Sequence, residues 1–303
     1  MPWPADHPAR IDADLAPWAA GLDEVVPEAR VGKVLRYLPG RRVATLVEGE
    51  RGPAVVKVFA SPRARGNARR LHAFAESAAA ALVPTALGTD ATGHVLALTY
   101  RPGVLPASLS DAHYPACFFR VGAALRQLHD SGAELDRVWS WEHEVAQLRR
   151  QSVPATVDLV DTLVASTGRL AGVPLYPAHR DCHPHQVVVA ADSTVAFIDL
   201  DDAALSPRGL DVGNLLGHLT RERLTGVRSV QASIAAGEAF LDGYGPCAEL
   251  TEAVVTGWTL LAVARLAGLA ESRHDDAAQR DALLAHCLTE LDRVLDPSSH
   301  AVR

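Results

Sequence analysis

Lysine is nearly missing from this sequence. Of 29 basic residues only Lys33 and Lys57 are lysines, and the remainder are arginines. The bias follows genome composition before physics, yet it isolates Lys57 inside the apolar run PAVVKVFA, where a compact flexible ammonium behaves unlike a bulky guanidinium fork. Cysteine is scarce as well. Cys117, Cys182, Cys247 and Cys287 stand far apart with no C-x-x-C pair, which excludes a zinc knuckle or disulfide framework and leaves them buried or inert. No apolar run reaches the roughly 20 residues of a membrane span, so no membrane partner is expected. The opening MPWPADHPARIDADLAP carries acids and prolines in place of a basic start and an apolar core, which argues against a signal peptide and for a cytoplasmic protein. A basic excess is lacking too. The net charge of −7 speaks against nucleic acid, which is gripped by Lys and Arg on its phosphates, and suits a cationic small molecule without requiring one. Internal repeats and low-complexity tracts are absent.

At 303 residues, with 48% hydrophobic and 21% charged content, the chain is long for one domain and comfortable for two. Residues 1–30 form a leader, helix-like from Ile11 to Leu22. From 31 to 101, KVLRYL, RRVATLVEG and PAVVKVFA read as strands separated by the turn signals PG and GERGP. A helix over Arg63 to Ala81 follows, then PTALGTD and HVLALTYRPG as a hairpin around DATG. From 102 to 303 the character is helical. DAHYPACFFRVGAALRQLHDSG has apolar spacing at Phe118, Val121, Leu125 and Leu128 and stops at Gly132. Further helices are expected over 141–151, 156–170, 211–223, 230–244, 251–271 and 276–295. The strand signals left in this part are QVVVA and TVAFIDL. The plan is α+β, a small β-rich front followed by a large helical back.

Both of those strands lie in YPAHRDCHPHQVVVAADSTVAFIDLDD, Tyr176 to Asp202, which admits several readings. His179, Asp181, His183 and His185 alternate, and in an extended chain they would share one face as ligands of zinc or a similar ion. Pro184 and the strand at Val187 favour a turn, which would scatter them into a histidine-rich surface loop. A further reading takes H-x-D-x-x-x-x-(N/Q), a strand, a turn and FIDL as the parts of a phosphoryl-transfer site. That reaction needs a metal at the moving phosphate and a positioned nucleophile more than it needs covalent chemistry. Asp181 can accept or orient a hydroxyl proton, the carbonyl oxygen of Gln186 can reach a cation, and Asp199 offers a carboxylate to Mg²⁺. His179 then packs and hydrogen-bonds to hold the loop.

The segment HRDCHPHQVVV…VAFIDLDDAALSPRGLDVGNLL resembles the catalytic core of the aminoglycoside phosphotransferase and choline kinase families, which have the protein-kinase-like fold. Those families run H-G-D-x-H-P-x-N, then I-D-x-(D/E)-x, then D-P-x-x-D-L. The matching positions are His179, Asp181, His183, Pro184, Gln186, Ile198, Asp199 and Asp211. The resemblance implies a bilobal fold with a β-rich N-lobe and a mostly helical C-lobe. It makes Asp181 the catalytic base or hydroxyl positioner, Gln186 and Asp199 the metal ligands, and Asp211 the buried carboxylate that ties the catalytic loop to the next helix. It also implies that Lys57 pairs with the α/β phosphates of a nucleotide covered by the hairpin at GRRVATLVE. Leu98, Thr99 and Tyr100 would meet adenine, and VGAALRQLHDSG would open the helical lobe. The resemblance spans roughly Val31 to Leu219, with its catalytic segment the specific part.

The sequence departs from the family pattern in several places. Gln186 replaces an asparagine and is one methylene longer. Glu76 is the single acid in the helix after Lys57, so it is the candidate ion-pair partner of that lysine and equally an exposed helix residue. Ser206-Pro207 replaces D-P. The absent G-x-G-x-x-G fits the aminoglycoside-kinase group better than protein kinases. Bland alternatives stand beside the rest. Lys57 can end a strand and snorkel to water, Asp199 can cap a turn, and Asp201 and Asp202 can be solvated acids instead of substrate contacts. His183 and His185 read as loop packing and exposure, and Trp258 as core. The expectation is a Mg²⁺-dependent kinase moving the γ-phosphate of ATP or GTP to a hydroxyl of an aminoglycoside-like antibiotic, aminosugar or related metabolite. Its rivals are a nucleotide-binding protein with little transferase activity and a metal-dependent hydrolase using the histidines.

Overall fold

Val43, Thr45 and Val47 are fully buried while Ala44, Leu46 and Glu48 between them are not, the period of two that marks a strand with one covered face. The computed structural model describes residues 3–152, 156–167, 170–272 and 277–295, and the chain divides into two units, Met1–Pro102 and Gly103–Arg303. The N-terminal unit is built on β1 (Arg30–Leu38), β2 (Arg42–Gly49), β3 (Gly52–Phe59), β4 (Ala86–Thr89) and β5 (Val95–Thr99). They form an antiparallel sheet in the order β1-β2-β3-β5-β4.

One face of this sheet is covered by the leader. Trp3, Ala9, Leu15, Ala19 and Leu22 pack with Val43, Val47, Ala54, Val56, Val58, Val95 and Ala97 in one core cluster. Each fully buried large side chain there contributes about 1.5–3 kcal/mol relative to exposure, so the leader is part of the fold. It is not the single helix that Ile11–Leu22 suggests. Pro8–Ile11 makes one turn, α1; Ala16–Gly21 is a 3-10 turn; Leu22–Val25 is a second short helix, α2. The break lies at Asp12, whose side chain accepts from the amide of Asp14 and so competes with a helical backbone. The helix after β3, α3, runs Ala64–Ala75 and stops short of the expected Ala81. There Ser77 Oγ accepts from the amide of Ala79 and donates to the carbonyl of Phe74, closing the chain into a bend.

The C-terminal unit holds α4 (Tyr114–His129), α5 (Trp141–Gln151), α6 (Val157–Ser166), α7 (Arg208–Leu224), α8 (Val230–Tyr244), α9 (Glu252–Ser272) and α10 (Ala277–Leu295). Helix α6 ends before the expected 170, and residues 168–169 lie outside the described residues. Helix α7 begins three residues before the expected Asp211, because Pro207 sits extended at the N-cap position and Arg208 opens the first turn. Trp139, Trp141, Leu148, Leu163, Trp258 and Leu283 share the main core of this unit, with Trp141 edge-on to Trp258 at 5.6 Å. Trp258 is core, as read. Residues Glu252–Ala270 of α9 are apolar enough to cross a membrane by length and composition, unlike the expectation of no such run, but 61% of that window is buried within the fold. Cys117, Cys182 and Cys287 are buried and Cys247 is half-buried, all as free thiols.

Between α6 and α7 lie four short strands. β7 (Val187–Val189) pairs with β8 (Val195–Phe197) as QVVVA and TVAFIDL suggest. A second ladder joins β6 (Tyr176–Ala178) to β9 (Ala204–Ser206). These two strands, YPA and ALS, are too short and too weakly patterned to show in the sequence.

Candidate active site

The two ladders nest, and that nesting builds the site. The outer one fixes Ala178 opposite Ala204, and the inner one fixes Val187 opposite Phe197. Loops 179–186 and 198–203 are therefore each pinned at both ends and run side by side. Side-chain and backbone bonds cross between them. The imidazole of His179 donates through Nε2 to the carbonyl of Ile198 at 2.8 Å, and the amide of Ile198 donates to the carbonyl of Gln186 at 2.9 Å. The side-chain amide of Gln186 donates through Nε2 to Asp199 Oδ2 at 3.3 Å. With Nε2 of His179 a donor, its Nδ1 accepts from the amide of Asp181 at 3.2 Å, and the ring holds both loops.

Helix α7 grips the first loop from below. Asp211, on its first turn and fully buried, accepts the amide of His179 at 2.7 Å on Oδ2 and that of Arg180 at 2.6 Å on Oδ1. Asn214 Nδ2 donates to the carbonyl of Cys182 at 2.9 Å. His129, the last residue of α4, lies 3.2 Å from Asp211 Oδ2 and 2.8 Å from the hydroxyl of Tyr244. Burial pushes the Asp211 carboxyl up, but the hydrogen bonds from His129 and from the backbone amide of His179 bring it below its ordinary value. Burial lowers His129, which is therefore a neutral ring donating Nε2–H to the carboxylate. Arg180 occupies the left-handed region at φ +70°, where the family pattern has glycine. Its guanidinium lies 3.5 Å above the Trp139 ring and donates to the carbonyl of Asp202 at 3.2 Å. Burial lowers its pKa to about 10. The sequence reading missed Arg180 and Trp139; the one available signal was a bulky residue at a glycine position.

Asp181 extends from this gripped loop with 44% of its side-chain surface open. Protein crowding raises its carboxyl above the ordinary range; Arg265 of α9 and His179 oppose the rise, and the carboxylates of Asp199 and Asp202 add to it. The open surface tempers the effect, leaving a carboxylate more basic than a free one. Arg265 also bonds to Asn214 Oδ1, so it is a third residue that sequence alone did not find. His183 Nδ1 accepts from the amide of His185, which leaves its Nε2–H 3.7 Å from Asp181 Oδ2. The His183 ring stacks on His218 at 4.4 Å, and burial holds its pKa down to about 3.

This arrangement disposes of a histidine metal clip. Both nitrogens of His179 and Nδ1 of His183 are committed to loop bonds, His183 is stacked and not convergent, and His185 points outward. Among the described residues no group of three or more His, Cys, Asp or Glu could hold a metal ion. The carboxylate and amide of Asp199 and Gln186 are a different donor set. They meet at one point, and a half-turn of the Gln186 amide would present Oε1 there beside the Asp199 oxygens. Hard oxygen donors with room for water suit Mg²⁺, so these residues fit such an ion. Asp199 itself is held at φ +61°, a strained value that persists where a surrounding structure fixes it. Asp202 pairs with Arg137 at 3.1 Å.

In the N-terminal unit, Lys57 stands on β3 between Ala44 of β2 and Leu96 of β5, on the sheet face opposite the leader, and is only 5% exposed. A buried ammonium at the centre of a sheet does not snorkel. Glu76 differs from its reading as the lysine's partner: it is the C-cap residue of α3, its side chain is 68% exposed, and it pairs with His72 at 3.2 Å. The buried polar residue of α3 is Asn67. Leu98 is buried in β5, Thr99 ends that strand with its hydroxyl accepting the amide of Thr85, and Tyr100 lies just beyond it.

A half-open carboxylate thus stands beside a carboxylate–amide pair, on a loop locked by a buried aspartate. The chain belongs to the phosphotransferase enzyme family (APH), whose model matches residues 40–251. It is accordingly an enzyme that phosphorylates alcohol groups. No curated protein matches it in sequence. Among solved structures, amicoumacin kinase hAmiN in complex with AMP-PNP, Ca²⁺ and Ami superposes with a TM-score of 0.69 at 17% identity, over 93% of this chain and 94% of that one. Choline kinase LicA from Streptococcus pneumoniae gives 0.65 at 14% identity, over 89% and 96%. Aminoglycoside-3'-phosphotransferase of type VIII gives 0.61 at 21% identity, over 82% and 98%. These likenesses establish the fold.

Proposed function

We propose that this protein transfers the γ-phosphate of ATP or GTP to a hydroxyl of a small cationic acceptor, an aminoglycoside-like antibiotic or an aminosugar. The observation that carries the proposal is the meeting of Asp181, Asp199 and Gln186 on two loops pinned side by side. In this reading Asp181 receives or orients the acceptor's hydroxyl proton, while Asp199 and Gln186 hold Mg²⁺, which would supply charge at the transferring phosphate. Lys57 engages nucleotide phosphates, and the backbone around Leu98, Thr99 and Tyr100 receives the base. The charge balance supports a cationic acceptor. Residues 1–102 hold 13 basic and 10 acidic residues, whereas 103–303 hold 16 and 26, so the acidity sits wholly in the unit carrying Asp181. Asp201 and Asp202, the latter also paired with Arg137, are the candidate carboxylates for an ammonium group.

The open position of Glu76 favours a second reading, a nucleotide-binding protein with little transferase activity. One experiment separates the two. Wild type and Asp181→Asn are incubated with ATP or GTP, Mg²⁺ and a panel of aminoglycosides, aminosugars and choline, and phosphorylated product is read by mass spectrometry. The kinase reading expects product with at least one acceptor and a loss of about a thousandfold in the variant, within the usual range for a removed general base. Nucleotide and Mg²⁺ binding with no product from any acceptor would establish the second reading instead.

A further inference from the structure

The leader reaches the β1–β2 hairpin through polar contacts that apolar packing does not explain. Strand β1 is an edge strand, largely exposed, with register irregularities between Val31 and Val34 and again between Val34 and Arg36. Its ladder with β2 therefore holds it loosely. The turn that joins β1 to β2 is tight: the amide of Arg41 donates to the carbonyl of Leu38 at 3.0 Å, and Gly40 takes φ +63°. Asp12, from the break between α1 and the 3-10 turn, reaches this hairpin. Its Oδ2 accepts the hydroxyl of Tyr37 at 2.8 Å and the amide of Gly40 at 2.8 Å, while Oδ1 accepts its neighbour Asp14 at 2.9 Å. The amide of Gly40, then the hydroxyl of Tyr37, hold the Asp12 carboxyl below its ordinary value.

The rest of the leader is immobilised. Trp3 Nε1 donates to the carbonyl of Ala19 at 2.7 Å, His7 and Thr45 share a bond of 3.0 Å, and Trp18 lies flat on His94 at 3.5 Å. Asp12 is thus a fixed charged acceptor presented to a loosely held hairpin, and charge-assisted bonds of this kind are the stronger ones. The hairpin is the one that the nucleotide-binding reading places over the phosphates, and it carries no G-x-G-x-x-G.

We propose that Asp12 is a positioning residue: by latching Tyr37 and Gly40 it fixes the β1–β2 hairpin in its nucleotide-ready position, so that the leader sets nucleotide affinity. This rests on the reading that the N-terminal unit binds nucleotide. Without the latch the competent hairpin becomes one state among several, and apparent affinity falls by the competent fraction.

The test uses the full chain as wild type, Asp12→Ala, Asp12→Asn, Tyr37→Phe and, on the same leader, Asp23→Ala. Binding of AMP-PNP or GMP-PNP with Mg²⁺ is measured by calorimetry, together with amide hydrogen exchange across 37–42. The latch expects Kd to rise about tenfold in Asp12→Ala and about threefold in Tyr37→Phe, with faster exchange at Gly40 and no change in Asp23→Ala. Should Asp12→Ala fail to fold, Asp12→Asn and Tyr37→Phe carry the same comparison. Nucleotide binding by the wild type with an unchanged Kd in the Asp12 and Tyr37 variants overturns the latch alone. No binding of either nucleotide by the wild type overturns the nucleotide reading and the proposal built on it.

Discussion

Gln186 shows how far a single methylene matters. Its side-chain nitrogen reaches Asp199 Oδ2 across 3.3 Å, a bond that ties the two side chains together. A shorter asparagine at this position would leave Asp199 freer to turn toward a metal. We expect Gln186→Asn to preserve or raise phosphotransferase activity and to lower the Mg²⁺ concentration needed for half-maximal rate; a titration of rate against Mg²⁺ checks both. At this scale the sequence was informative about which residues gather and poor about their surroundings. The spacing of His179, Asp181, Gln186 and Asp199 pointed to one site, and the structure joins all of them through loop bonds. Glu76 was legible only as an acid on a helix. Whether such an acid faces a sheet or water depends on where the helix stops, and Ser77 decides that by capturing the backbone of its neighbours.

Helices α4 and α8 approach closely enough for backbone to touch backbone. A Cβ on Gly122 of α4 would lie 2.1 Å from the carbonyl oxygen of Phe240, and one on Gly243 of α8 would lie 1.8 Å from that of Phe119. Neither neighbour is the end of a flexible side chain, so the helices themselves would have to separate. Gly122→Ala should therefore cost about 3 kcal/mol despite alanine's better helix propensity. Gly237→Ala, elsewhere on α8 with only a Leu216 methyl at 3.4 Å, should be neutral or stabilising by up to about 1 kcal/mol. Urea unfolding of the two variants measures the contrast. The elements themselves were mostly visible in the sequence, because α4, α8 and β2 carry clean periodicities over many residues. β6 and β9 were not, since three-residue strands carry no period. Their pairing exists because α7 and the inner hairpin hold both ends, which is tertiary information.

Three buried imidazoles make the folded protein acid-sensitive. Burial lowers the pKa of His129, of His183 to about 3, and of His218 well below the ordinary value. All three are neutral in the folded chain at pH 7. In the unfolded chain each takes up a proton as pH falls through about 6.5, so the unfolded state binds more protons and stability declines with falling pH. Each histidine contributes at most about 1.4 kcal/mol per pH unit while the folded ring stays neutral. Asp211, whose carboxyl is also lowered, adds to the loss once pH falls below about 4. Unfolding midpoints in urea should fall steadily from pH 6.5 toward pH 4, and His218→Phe should flatten part of that slope. A profile level over this interval would contradict neutral buried rings.

The burial of the leader against the sheet has a consequence for how the molecule could be shortened. A chain begun after residue 29 would keep every strand and every residue of the catalytic loops, yet it would bare the apolar flank formed by Val43, Val47, Ala54, Val56, Val58 and Val95. A naked, β-branched flank of that kind adheres to its own copies. The first thirty residues thus act as a waterproof lining for the front half, and trimming them would trade an ordered molecule for a sticky one.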